Sequence, residues 1–245
     1  MKKAQLKIFC DFDGTITKND VWINSFGKFI KNTEAWAKIC DDFVNYRMSG
    51  RQCCLQELDL LEDYSDEKLF EYLKEEELDD YFKDFVKFCK ENEFELFILS
   101  EGIDRYIHKI LENENLELNV YCNKMVVNEV DGKVKVTCEF PHGDEHCRWC
   151  GNCKRNVILS NTNELEGEIS VYIGDGITDM CPSRYSDIVF AKKRLASYCW
   201  KNNITYFEYN NFFDIKKKLI SLEAKGKLKQ RQEAKVRRRD VFMGG

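Results

Sequence analysis

No stretch of the 245-residue chain is apolar for long enough to cross a membrane, since its longest apolar runs fall far short of the roughly 20 residues a helical span needs. The sequence opens Met-Lys-Lys and passes at once into a strand-like segment, so no secretory signal is expected. There is no internal repeat and no Gly-rich loop ending in Gly-Lys-Ser/Thr, so an ATP-driven kinase is not expected. Proline is scarce (2 residues), and with 43% apolar and 33% charged residues the composition is that of a soluble globular protein. The length suits one α/β domain, or one domain carrying a substantial insert. Twelve cysteines could suggest a disulfide scaffold. The length, the charge and the expectation of no signal lead to an expectation of reduced thiols in a cytoplasmic protein instead.

The net charge of −5 hides an asymmetry. Between Glu57 and Asp80, twelve acidic residues face only Lys68 and Lys74. Between Lys216 and Asp240, eleven basic residues face Glu223, Glu233 and Asp240. Such runs are usually solvated helix faces.

Residues 5–11 read as a strand. From Asp20 to about Asp80 the apolar residues recur at helical spacing: Trp22, Ile23, Phe26, Phe29 and Ile30, then Trp36, Ile39, Cys40, Phe43 and Val44, then Leu55, Leu58 and Leu61. Three or four amphipathic helices are expected there, broken or capped at Asn32/Thr33, Ser49-Gly50 and, more weakly, Ser65. Residues 81–90 continue as helix. Residues 94–100 form a strand, with a helix pattern at Ile103, Tyr106, Ile107, Ile110 and Leu111. A hairpin is expected with Asp131-Gly132 as its turn. Strands follow at 169–173, 188–191 and 204–207, then a helix at 212–222. The basic end reads as a frayed helix or tail.

Four places carry chemistry. The first strand ends in Asp11-Phe12-Asp13-Gly14-Thr15. Alternate residues of an extended chain point the same way, so Asp11 and Asp13 aim at one place off a strand's carboxyl end, where α/β sheets hold ligands. Crowded carboxylates repel unless a cation lies between them, and Mg²⁺ takes oxygen ligands. The strand at 94–100 ends in Ser100-Glu101-Gly102, a small hydroxyl and a glycine before a helix pattern, which suits an anion. Lys154 opens a helix pattern 21 residues before Asp175. Gly174-Asp175-Gly176-Ile177-Thr178-Asp179 follows another apolar strand, its glycines permitting close backbone approach. Each has a plainer reading alone: a polar turn, an N-cap serine, a solvated lysine, a turn loop.

In this order the four segments resemble the motifs of the haloacid dehalogenase superfamily, over roughly residues 5–215. The resemblance implies an α/β fold: a Rossmann-like three-layer α/β/α core with a parallel sheet and a small inserted helical cap. It places the core at 1–16 and 81–215, the cap at 17–80 and a basic C-terminal helix or tail at 216–245. The insert is similar to that of the phosphoserine phosphatase-like branch. The Cys-rich loop ending in Cys153-Lys154 resembles the 2-hydroxy-3-keto-5-methylthiopentenyl-1-phosphate and phosphoethanolamine/phosphocholine phosphatases.

The implied reaction is hydrolysis of a small phosphorylated metabolite, through a phosphoaspartate on Asp11, with Asp13 as acid and base. Mg²⁺ is the implied cofactor, with Asp11, Asp13 (through its carbonyl), Asp175 and Asp179 as metal residues; Asp179 alternatively orients Lys154. Gly14, Thr15, Asp20, Ser100, Glu101, Gly102 and Lys154 are the implied phosphate and substrate residues. Asp20 stands nine residues after Asp11, where phosphoserine phosphatases carry a glutamate for the substrate ammonium. Neither Arg47 nor Arg51 aligns with their carboxylate-binding arginine, which leaves the substrate open. Thr178 replaces the asparagine common before the last aspartate. The expected partner is a small-molecule phosphomonoester, with no nucleic acid and no membrane.

Alternatives remain on the sequence alone. A phosphotransferase or mutase would share every motif, and a non-catalytic phospho-ligand module would share most. Cys147, Cys150 and Cys153, with Cys138, His142 and His146 upstream, can be read as a zinc site or as a loop of thiols. A zinc- and nucleic-acid-binding protein would fit the basic tail, but not the net charge or the tail's lack of interleaved aromatics.

Overall fold

The computed structural model describes residues 5–130 and 133–243. Along the chain, β1 (Leu6–Cys10) is followed by α1 (Val21–Asn24), α2 (Thr33–Val44), α3 (Gly50–Asp59), α4 (Asp66–Tyr72) and α5 (Phe82–Glu91). Then come β2 (Glu95–Ile103), α6 (Asp104–Asn113), β3 (Asn119–Val130), β4 (Lys133–Glu139) and α7 (Lys154–Ser160). The rest is β5 (Ile169–Gly174), α8 (Met180–Ser183), β6 (Ile188–Ala191), α9 (Lys193–Lys201), β7 (Phe207–Glu208), α10 (Phe212–Ala224) and α11 (Gln232–Phe242). The strands form one sheet in the order β4-β3-β2-β1-β5-β6-β7. The chain divides into two compact units: Met1–Asp11, Leu78–Leu99 and Lys154–Gly245 in the first, Phe12–Glu77 and Ser100–Cys153 in the second.

In the first unit β1 lies between β2 and β5, parallel to both, with Ile8 opposite Leu96 on one side and Val171 on the other. All five residues of β1 are buried. A central parallel strand has no solvent face, which is why Leu6-Lys7-Ile8-Phe9-Cys10 reads as a nearly continuous apolar run rather than an alternating one. Lys7 is the exception, and its ammonium pairs with Glu95 and, at 3.3 Å, with Glu168. Strands β5, β6 and β7 extend the parallel order. The chain enters β2 on one side of β1 and β5 on the other, so the strand order reverses there. That is a topological switch point, where sheets of this kind open a crevice at their carboxyl ends. Phe82 and Phe85 of α5 pack on Phe212 of α10 at 4.9 and 5.1 Å between ring centres.

The basic C-terminal stretch is not frayed. Arg238 on α11 is 2% exposed and bonds the Asp187 carboxylate at 3.0 Å, the Tyr185 carbonyl at 2.7 Å and the Glu164 carboxylate at 3.1 Å. A buried guanidinium must be paired, and these partners fix the helix to the core.

The second unit holds helices α1–α4. Asn32 caps α2 by accepting from the Ala35 amide at 3.0 Å. Ser49 and Gln52 form a reciprocal capping box at α3. Ser65 accepts from the Lys68 amide at 3.3 Å to start α4. The unit's interior is aromatic: Phe26 stacks on Trp22 at 4.7 Å and on Tyr64 at 6.1 Å. β3 and β4 are antiparallel, with Met125 opposite Cys138 and Val127 opposite Val136. The expected turn at Asp131-Gly132 lies outside the described residues.

Two element boundaries differ from expectation. β2 does not end at Ser100 but runs on to Ile103, and α6 begins directly after it at Asp104. Ile103 is fully buried, and Asp104 accepts the Met125 amide of β3 at 2.9 Å, so the neighbouring strand holds this stretch extended. The last strand is Phe207–Glu208, later and shorter than 204–207, because only these residues pair with Phe190 and Ala191.

Candidate active site

Two groups of side chains gather at the chemistry-bearing segments, one in each unit, and the Asp11–Phe12 peptide bond joins the segments that carry them.

The first group is built on the ends of β1 and β5 and the start of α7. The Asp11 amide donates to the Ile173 carbonyl at 2.9 Å, which seats Asp11 at the end of its strand. Lys154, 3% exposed, places its ammonium 2.6 Å from Asp11 Oδ1 and 2.7 Å from Asp179 Oδ1. Burial by itself lowers the proton affinity of Lys154; the two carboxylates more than reverse this and favour the charged form. Asp179 is fully buried and its oxygens are committed: Oδ1 also accepts from the Tyr172 hydroxyl at 2.6 Å, and Oδ2 from the Asp175 and Gly176 amides at 2.9 Å each. Burial works against its charge, but Lys154, Tyr172 and the amides outweigh that and keep the carboxyl below its usual range. Gly174 explains itself here, because a Cβ on it would lie 2.5 Å from Asp179 Oδ2.

Asp175 is half-buried and pairs with Lys193 at 2.7 Å. Burial, then the charge of Asp179, push the Asp175 carboxyl upward. Burial and Asp179 push Asp11 the same way, against Lys154. Oxygen atoms of Asp11, Asp175 and Asp179 lie within 4.8 Å of one another. This is a hard oxygen donor set, and in it burial and the neighbouring Asp179 charge raise the proton affinity of Asp11 and Asp175; it fits a divalent cation such as Mg²⁺. The hydrogen bonds already made by Asp179 suit it better to orienting Lys154 and the loop, leaving Asp11 and Asp175 as the stronger candidates for direct ligands.

The second group centres on Asp13, which is half-buried. Its Oδ1 accepts from the Val21 amide at 3.2 Å; its Oδ2 accepts from Ser100 Oγ at 3.2 Å and from the Tyr106 hydroxyl at 2.7 Å. Lost hydration, then the Asp20 carboxylate, push the Asp13 carboxyl up to about 7. Asp20 itself is exposed and caps α1 by accepting from the Ile23 amide at 3.1 Å. Thr15 is 1% exposed, and its hydroxyl has no hydrogen-bond partner among the described residues. Two amides expected to face a ligand are already engaged: Gly14 N donates to the Asn19 carbonyl at 3.0 Å, and Gly102 N to Ser100 Oγ at 2.8 Å.

Glu101 serves the Cys-rich loop. Its Oε2 accepts from the Gly151 amide at 2.9 Å, while Asn123 Nδ2 donates to the Glu101 carbonyl at 2.6 Å. Asn152 Nδ2 donates to the carbonyls of Ser100 at 3.0 Å and Tyr121 at 2.6 Å. Arg51 ties the loop to α3 by donating to the Cys150 and Asp144 carbonyls at 2.7 and 3.0 Å, and Arg47 pairs with Asp41 and Asp42. The loop's cysteines are thiols, and among the described residues no three of its Cys and His donors converge on a point. Tyr106, Asn123 and Asn152 were not singled out from sequence. Only Tyr106 carried a signal, a hydroxyl on the apolar face of a helix pattern.

The haloacid dehalogenase-like hydrolase family matches residues 8–181. A 2-hydroxy-3-keto-5-methylthiopentenyl-1-phosphate phosphatase of Bacillus pumilus (strain SAFR-032) is 31% identical over 212 residues, spanning 85% of this chain and 88% of that protein. One from Bacillus cereus (strain B4264) is 31% identical over 227 residues, spanning 90% and 99%. A solved structure of substrate-bound phosphoserine phosphatase superposes with a TM-score of 0.66 at 23% identity, covering 89% of this chain and 99% of the other. A phospho-aspartyl intermediate analogue of phosphoserine phosphatase gives 0.65 at 23% identity, covering 88% and 99%. The chain belongs to the haloacid dehalogenase-like hydrolases and has their fold. It is a phosphoric monoester hydrolase. Among the described residues, no helix is long and apolar enough to cross a membrane.

Proposed function

We propose that the chain is a Mg²⁺-dependent phosphomonoesterase acting on a small metabolite, with Asp11 as nucleophile and Asp13 as general acid and base. The observation that carries this reading is Lys154, a buried ammonium bridging Asp11 and Asp179 beside Asp175. Such a centre meets an anion with positive charge and a carboxylate at once. Asp11 attacks phosphorus in line and becomes a phosphoaspartate. Lys154, Ser100 and Thr15 donate to the phosphoryl oxygens, where charge sits in a loose transition state. The buried Thr15 hydroxyl supports its place in this set. Asp13 protonates the leaving alkoxide and then takes a proton from the water that releases phosphate. A carboxyl held near 7 can do both at neutral pH. Mg²⁺, held by Asp11, Asp175 and the Asp13 carbonyl, would supply charge neutralisation as two anions approach.

The first substrate to test is 2-hydroxy-3-keto-5-methylthiopentenyl-1-phosphate, because relatives at 31% identity carry that name. Residues 17–80 act as the cap that selects it. Twelve thiols support a reducing, cytoplasmic setting.

Phosphate release is to be measured on that compound, phosphoserine, phosphoethanolamine, phosphocholine, pyridoxal phosphate, sugar phosphates and p-nitrophenyl phosphate. Each assay runs with Mg²⁺, with EDTA and with Asp11→Asn. Turnover that needs Mg²⁺ and Asp11 is expected. Metal-independent turnover, or full activity of Asp11→Asn, would refute the reading.

A further inference from the structure

Tyr106 projects from α6 and is fully buried, its ring held edge-on by Phe26 at 5.9 Å and beside Phe12 at 6.2 Å. Its hydroxyl donates to Asp13 Oδ2 at 2.7 Å. That path runs directly over Gly102, where a Cβ would lie 1.7 Å from the tyrosine oxygen, 2.6 Å from Cζ and 3.0 Å from Asp13 Oδ2. Only a residue without a side chain leaves the hydroxyl room to pass. Gly102 is therefore explained by Tyr106, and not by an amide offered to phosphate, since that amide already donates to Ser100.

The two Asp13 oxygens differ as a result. Among the described residues, Oδ2 receives the Tyr106 hydroxyl at 2.7 Å, and the Ser100 hydroxyl at 3.2 Å until that proton turns to the phosphoryl group, whereas Oδ1 receives the Val21 amide at 3.2 Å. The oxygen that keeps the short hydroxyl bond is the poorer place for a proton. We infer that Tyr106 is a positioning residue: it pins Asp13 Oδ2 so that Oδ1 carries the proton passed to the leaving group. This rests on the role proposed for Asp13. The proton leaves Oδ1 as the phosphorus–oxygen bond of the ester breaks, and the leaving alkoxide becomes the free alcohol. It returns from the attacking water as the phosphoaspartate is hydrolysed. Tyr106 keeps its own proton throughout.

The test is leaving-group dependence. An alkyl phosphate needs its leaving oxygen protonated, whereas p-nitrophenolate departs with little help. Tyr106→Phe keeps the ring and removes the donor. The ratio of kcat on the best alkyl phosphate to kcat on p-nitrophenyl phosphate is expected to fall about 10–100-fold, part of the 10²–10⁴ a general acid supplies. In an Asp13→Asn background the same substitution is expected to leave that ratio where Asp13→Asn alone puts it. Equal loss on both substrates, or a further fall in the ratio in the Asp13→Asn background, would overturn the inference. If Tyr106→Phe does not fold, 3-fluorotyrosine at position 106 replaces it; an unchanged ratio there also overturns the inference. A wild-type protein without Mg²⁺-dependent turnover on any ester would instead refute the function on which it rests.

Discussion

The ammonium of Lys154 lies 2.6 Å from an oxygen of Asp11, with 2% of the lysine side chain and 9% of the aspartate side chain exposed. The two residues are 143 positions apart in sequence. Lys154 opens α7, and Asp11 closes β1. A charge pair this dry persists only where each partner is needed by the other.

Replacing Lys154 with methionine keeps the volume and removes the charge. Asp11 and Asp179 are then left buried without their shared cation. We expect kcat to drop by about 10²–10³-fold, the usual loss for a preorganised charge at the transition state. We also expect folding stability to drop by about 3–5 kcal/mol. Steady-state phosphate release and a urea melt read the two effects separately; a variant that keeps both activity and midpoint counts against the assignment.

Gly174→Ala tests the loop of Asp175 and Asp179. The added methyl would sit 2.5 Å from Asp179 Oδ2 and 2.6 Å from its Cγ. Asp179 cannot yield without giving up Lys154 and the loop amides. An overpacking cost of about 1–3 kcal/mol is expected, together with loss of turnover. Thermal unfolding and kcat would show it, and an active protein of unaltered Tm would mean that the loop gives way cheaply.

Glu57 predicts a pH dependence of stability. It is 6% exposed and accepts from Trp36 Nε1 at 2.8 Å and Cys40 Sγ at 3.4 Å. Burial pushes its carboxyl above the unfolded value of 4.5. The folded state therefore holds this proton more tightly than the unfolded state does. The resulting stabilisation is complete below the unfolded value and is lost as pH rises through the folded one, at about 1.4 kcal/mol per pH unit across that window. Glu57→Gln retains an acceptor for Trp36 and cannot titrate. Denaturant melts from acid to neutral pH should show wild type losing stability relative to Glu57→Gln. Parallel curves would contradict the prediction.

Arg238→Ala removes the buried anchor of α11. Asp187, whose side chain is fully buried, would lose one partner of that anchor, as would Glu164. The expected cost is about 3–5 kcal/mol. Limited proteolysis should then release the basic C-terminal segment from the variant well before it does so from wild type. Equal resistance of the two proteins would show that the helix is held by other contacts.

Much of this was legible because the informative residues are short-range. The apolar run of β1 marks a strand buried on both faces, and the carboxylates after β1 and β5 sit where parallel strands end. Lys154 could be placed because a helix pattern starts with it. The helix after Gly102 was legible from its apolar spacing, but the strand reads as ending at Ser100, three residues early, because a small hydroxyl and a glycine resemble a break. The β3 neighbour that keeps the segment extended is remote in sequence. Arg238 looked like one more charge in a basic run, since burial of a guanidinium depends on Asp187, 51 residues away. Asn123 lies in a strand of the expected hairpin and Asn152 in the Cys-rich loop, and nothing local announced that their side chains hold the backbone of Glu101 and Ser100. Tyr106 was legible as a core aromatic, but its hydroxyl's use depends on Asp13 and on the space over Gly102.

The most direct test of the account is to trap the covalent intermediate. Enzyme mixed with the best substrate and Mg²⁺ is quenched in acid during turnover, digested and mapped by mass spectrometry. The account predicts one phosphoryl group on the peptide containing Asp11, removed by hydroxylamine as an acyl phosphate is, and absent from Asp11→Asn. A phosphoryl group on another residue, or full turnover by Asp11→Asn, would contradict it.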